Sequence, residues 1–137
     1  MQLANSDVIA SLIDTYRNLN LKIRPLDSAT GNSASVLEAM AALRESEIRS
    51  SQLIKLMSLG DGSGDAAIPE PPPSANPNNV RVLLSEFGTA REAILAAVRE
   101  MSEEDINAAR PGFSAAGSIG EVLKQIAERD KKILASV

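Results

Sequence analysis

The stretch NVRVLLSEFGTAREAILAAVREM, Asn79 to Met101, places Val80, Leu83, Leu84, Phe87, Ala90, Ile94, Ala97, Val98 and Met101 at helical spacing. Apolar residues recurring every three or four positions lay a stripe along one side of a helix, and that stripe must be buried against another element. No run in the chain alternates with period two for long enough to make a strand, so the covering elements are expected to be helices.

Downstream, Ser102-Glu-Glu-Asp105 has the pattern of a cap for one further short turn, and Pro111-Gly112 forces irregular chain. Ser118-Ile-Gly-Glu121 is a capping box, in which the serine oxygen and the glutamate each satisfy a backbone donor left over at a helix start. The segment it opens carries Ile119, Val122, Leu123, Ile126, Ile133, Leu134 and Val137 on one face. Upstream, GDGSGDAAIPEPPPSANPNN between Gly60 and Asn79 is too rich in Gly, Pro and Asn to be helical. Before it, a segment opens with a second capping-box pattern, Ser35-Val-Leu-Glu38, and runs to about Ser58, where Gly60 stops it. The first segment, about Ser6 to Arg24, carries Val8, Ile9, Leu12, Ile13, Tyr16, Leu19 and Ile23. Asn5, Ser6 or Asp7 is its cap and Pro25 its end.

Four amphipathic helices with one long connection predict an all-α four-helix bundle with a Pro/Gly-rich crossover between its second and third helices. The 137 residues suit one domain, with 60–79 as an internal linker, because a division there would leave two helical pairs too small to bury their own faces. Hydrophobic residues make up 44% of the chain but aromatics only 2%, so the core must be aliphatic. A net charge of −4 disfavours nucleic acid, whose binding comes mainly from Lys and Arg neutralising phosphates. There is neither histidine nor cysteine, which removes the common transition-metal ligands, the thiol nucleophile and the disulfide. The N-terminus has no basic region ahead of an apolar run and no window approaches a membrane span, so a cytoplasmic protein away from membranes is expected.

Two apolar seams are broken by charge. In the second segment the seam Val36, Met40, Leu43 meets Glu47 and Ser50 before Ile54 and Met57. In the last, Ile119, Val122 and Ile126 lead to Arg129 and Asp130 before Ile133 and Val137. A lone buried charge is costly, whereas a hydrogen-bonded ion pair can be nearly neutral. Glu47 and Arg129 are therefore expected to face each other inside the bundle, with Glu45 or Asp130 as accessory acceptor, and Arg129→Ala to cost several kcal/mol. The alternative is that slight helix rotation lets both side chains reach water.

LLSEFGTAREAILAAVREMSEEDI, SIGEVLKQIAERDKKIL and SVLEAMAALRESE resemble the third, fourth and second helices of the DinB/YfiT-like family of four-helix proteins, which includes thiol-dependent isomerases and transferases. The first segment and the linker match only in length and pattern. The family typically holds a metal with one histidine from the second helix and a His-x-x-x-His pair from the fourth. Aligned on the capping boxes, those positions fall on Ala42, Arg129 and Ile133, none of which binds a metal. The resemblance thus implies a bundle without metal or other cofactor, in which Arg129 puts its fixed charge where the ion would sit, Ala42 leaves room for it and Glu47 offsets it. The reading to set before it is a core simply repacked without function.

Other groups are weaker candidates. Glu45 and Glu47 point to different sides of a helix, and Glu103, Glu104 and Asp105 read as charges complementing a helix N-terminus. No serine has an evident activating base. Gly60-Asp-Gly-Ser-Gly64 lacks the Gly-Lys-Ser/Thr ending of a phosphate loop, and Pro69-Glu-Pro-Pro-Pro73 reads as a spacer. The expectation is a metal-free, DinB-like small-ligand or protein-interaction module, homodimeric through an apolar helix face. Its rival is a metal-independent enzyme in which Arg129 anchors an anionic or thiol-bearing substrate and Glu47 or Tyr16 assists proton transfer.

Overall fold

A computed structural model describes residues 5–26, 28–59 and 68–136. The described chain is helical, without strands: α1 (Asn5–Ile23), α2 (Ser28–Gly31), α3 (Ala34–Leu59), α4 (Val80–Arg99), α5 (Glu103–Asn107) and α6 (Ile119–Ser136). The glycine-rich Gly60–Gly64 and Val137, to which sequence readings were attached above, lie outside the described residues.

Local chemistry explains most helix ends. Asn79 caps α4, its side-chain oxygen accepting from Arg81 N (3.0 Å) and Val82 N (3.3 Å). Ser102 caps α5 through Asp105 N (3.1 Å). At α6 the Ser118 hydroxyl accepts from Glu121 N (3.2 Å), while the Glu121 carboxylate turns back to accept from Gly117 N. The expected box at Ser35 is displaced: Ser35 lies one residue inside α3, and the Leu37 amide bonds to the Ser33 carbonyl (2.9 Å). Gly112, following Pro111, has φ 98°, a left-handed turn that side chains resist.

The four longer helices form a ring in which α3 packs chiefly on α4, α1 on α6, and the remaining sides are α3–α6 and α1–α4. Contacts fix their directions. Arg44 meets Glu86 and Glu47 meets Arg91, so α3 and α4 run parallel. Thr15 meets Asp130 and Lys22 reaches the Leu134 carbonyl, so α1 and α6 are parallel too. Leu12 receives Arg91 while Arg24 receives Arg81, which makes α1 and α4 antiparallel.

That topology accounts for the long linker. α3 has 26 residues, about 39 Å at 1.5 Å each, and a parallel α4 starts beside the beginning of α3, where Val80 N bonds to Asn32 Oδ1 (2.8 Å). The return needs at least about twelve extended residues at about 3.3 Å each. Its described part, 68–79, is a strap along the α3–α4 groove: Glu70 pairs with Arg49 (2.8 Å), the Pro72 carbonyl accepts from Arg44 (2.6 Å) and Ala75 N donates to Glu86 (2.9 Å).

The core is in two parts. One is built on Val8, Leu12, Ile54, Met57, Ile94, Val98, Ile119 and Ile126, the other on Leu19, Ile23, Met40, Leu43, Leu83, Leu84 and Phe87. Gly88 permits the phenol of Tyr16 to lie directly on α4, where a Cβ would collide with its oxygen. Tyr16 then meets Phe87 edge-on at 5.8 Å.

Candidate functional site

Between the two apolar clusters lies a layer of charge fed by all four long helices. α4 supplies Arg91, α3 supplies Glu47 and Ser46, α6 supplies Arg129 and Asp130, and α1 supplies Thr15 and the Leu12 carbonyl. Arg91, Glu47 and Asp130 are all 0% exposed.

Arg91 is the hub. Its Nε donates to Glu47 Oε2 and its Nη2 to Glu47 Oε1 (3.3 Å), while the same Nη2 reaches both Asp130 oxygens (3.1 and 2.9 Å). Its Nη1 donates to the Leu12 carbonyl (2.8 Å), and its guanidinium carbon stands 4.9 Å from the Phe87 ring centre. Burial pulls the Arg91 pKa down, but hydrogen bonds and charge from Glu47 and Asp130 outweigh it and raise the pKa. Thr15 donates to Asp130 Oδ2 (2.7 Å). Arg129 enters from the edge, its side chain 19% exposed, with Nη1 on Ser46 Oγ (2.8 Å) and Nη2 on Glu47 Oε1 (2.6 Å) and Asp130 Oδ1 (3.0 Å). Two guanidiniums thus face two carboxylates, and the formal charges cancel.

Of the residues singled out in the sequence, Glu47, Arg129 and Asp130 come together in this layer. Glu45 does not: it is exposed and pairs with Arg49 on the surface (3.1 Å). Tyr16 is half-buried beside the second apolar cluster. Ala42 is exposed, because Met40, Leu43, Arg44 and Glu47 set the inward face of α3 and Ala42 falls outside it. It therefore makes no room for a guanidinium, and it does not converge with Arg129 and Ile133; Ile133 packs at the second cluster and Ser46 is what receives Arg129. Arg91 is not among the residues expected there, although it stands four residues after Phe87 and three before Ile94, squarely on the α4 seam. The adjacent Ala90 filled that place in the apolar pattern. Among the described residues, no group of three or more Asp or Glu is placed to hold a metal ion, and no helix is long and apolar enough to cross a membrane.

A second charged locus lies at the edge of the same α3–α4 interface. Arg44 Nε donates to Glu86 Oε1 (3.2 Å), and Glu86 also accepts from the Ser74 hydroxyl and the Ala75 amide. Partial burial pushes the Glu86 carboxyl up, but the Ala75 amide, Ser74 and Arg44 together hold it below the usual range. Beside it, Ile48, Ser51, Gln52, Ala90 and Ala93 open a concave space of about 460 Å³ against Pro72 and Pro73. Glu47, Arg129 and Tyr16 do not line it.

Comparison with protein-family models, curated proteins and solved structures gives no match.

Proposed function

We propose that the chain is a non-catalytic binding module, a metal-free bundle of DinB-like type whose charged layer is architectural and whose ligand surface lies elsewhere. The supporting observation is that Arg91, Glu47 and Asp130 have no exposed surface and are hydrogen-bonded to one another. A substrate cannot touch them unless the bundle opens, and a guanidinium already satisfied by two carboxylates is a poor anchor for a third anion. An accessible concavity among the described residues is the α3–α4 groove, of a volume suited to a small molecule.

The module is further proposed to act in the cytoplasm, away from nucleic acid, and to pair with itself through an apolar helix face. Among the described residues the exposed large apolar side chains are Leu21 on α1 and Leu59 at the end of α3, 68% and 65% exposed; α1 runs antiparallel to α3, so they stand at opposite ends of the bundle and only one of them enters any single face. The rival reading, a metal-independent enzyme of the DinB-like thiol-dependent type, has one observation in its favour: Arg129 keeps 19% of its side chain exposed at the edge of the layer.

Thermal-shift screening of the full chain against low-molecular-weight thiols, carboxylates and neutral compounds tests the choice, because a ligand specific to the folded state raises the melting temperature. A rise with no chemical change in the compound is the expected result. Consumption of a thiol with a co-substrate, abolished by Arg129→Ala, would instead establish the enzyme. Light scattering after size exclusion reads the oligomeric state.

A further inference from the structure

We infer that the α3–α4 groove under the strap is a binding site for a neutral, largely apolar small molecule. This rests on the binding-module reading and specifies its site and ligand class. The space exists because the facing positions carry small side chains: Ser51 on α3, and Ala90 and Ala93 on α4. Parallel helices that would otherwise close on each other leave there about 460 Å³, within the roughly 300–1,000 Å³ usual for small-ligand pockets.

Its walls specify the occupant. Ile48, the two alanines and the rings of Pro72 and Pro73 make most of the lining apolar. The charged members, Arg44 and Glu86, pair with each other and are further engaged by the strap's Pro72 carbonyl, Ser74 hydroxyl and Ala75 amide. Their charges cancel, so the groove offers neither an anion nor a cation a complementary field. The roof is prearranged as well: prolines hold a fixed backbone, and the strap is tied by Arg44 to Pro72 and by Arg49 to Glu70.

The probe is Nile red, a neutral aromatic dye, titrated into the full-length protein and read by fluorescence. Saturable binding is expected, at least tenfold tighter than that of a sulfonated, anionic form of the same dye. Ala93→Trp fills the groove from an exposed position and should weaken Nile red at least tenfold. Glu128→Trp, exposed on α6 and away from the groove, should leave it within twofold; circular dichroism and the melting temperature verify that both variants fold. Absence of saturable binding overturns the site. Binding unaffected by Ala93→Trp overturns the location while leaving the binding-module reading intact, and equal affinity for the anionic dye overturns the ligand class. Turnover of a thiol substrate in the Ala93→Trp protein would remove the binding-module reading on separate grounds.

Discussion

Two arginine–carboxylate pairs join α3 to α4, and about one helical turn separates them. Glu47–Arg91 is fully buried on both sides, whereas Arg44–Glu86 retains 9% and 25% of its side-chain exposure. A hydroxyl from a third element joins each set: Thr15 donates to Asp130, which shares Arg91 with Glu47, and Ser74 donates to Glu86. The chemistry is the same and the surroundings differ. Without water to solvate a stranded partner, the inner set must be complete, while the outer set can lose a member and be rehydrated. The inner pair therefore governs whether the bundle forms, and the outer pair governs how a surface strap is held.

The strongest way to break this contrast is Arg91→Met, which keeps bulk but leaves Glu47 and Asp130 to Arg129 alone. It should cost about 3–5 kcal/mol in urea unfolding; a loss comparable to that of a surface pair would erase the distinction. Arg129→Ala should cost less, about 2 kcal/mol, because Arg91 still engages both carboxylates and water can enter at the edge. Matched hydroxyl deletions sharpen the comparison. Thr15→Val should cost about 1–2 kcal/mol, as one buried acceptor site on Asp130 goes unfilled. Ser74→Ala should cost about 0.5 kcal/mol or less, since water replaces the lost donor.

Acid should also distinguish the two. Because the Glu86 pKa is lowered in the folded chain, its contribution is complete above the ordinary glutamate value of about 4.3 and disappears as pH falls through the lower folded value. Hydrogen exchange at the Ala75 amide, which donates to Glu86, should lose protection over that window, and Glu86→Gln should remove the pH dependence. A strap that stays protected through the same titration would show that Glu86 is not its latch.

The helical architecture was legible because an apolar stripe of period 3.6 is a local property, repeated in four segments. The partial inner site was legible for the same reason: charge at Glu47, Arg129 and Asp130 interrupts otherwise apolar seams. Arg91 interrupts a seam too, but its neighbour Ala90 offers an apolar residue nearly in phase, so the break is masked. Ala42 falls off the inward face because the count to it starts from a cap at Ser35, whereas the Ser33 carbonyl takes the first bond of α3; a two-residue error rotates a position by about 200°. Strap contacts such as Arg44 to Pro72 leave no periodic trace, because they depend on the return path of an extended segment across two helices. The parallel course of α3 and α4 was hinted at only by linker length.

The charge-balanced layer also constrains how such a chain can diverge. Replacing any one of Arg91, Glu47 or Asp130 leaves a remaining ion without its counterpart, whereas an all-aliphatic layer could pack well. The intermediate steps are the unfavourable ones, so descendants should keep these positions as a set or exchange them together, a pattern of correlated change readable in sequences before any further structure is determined.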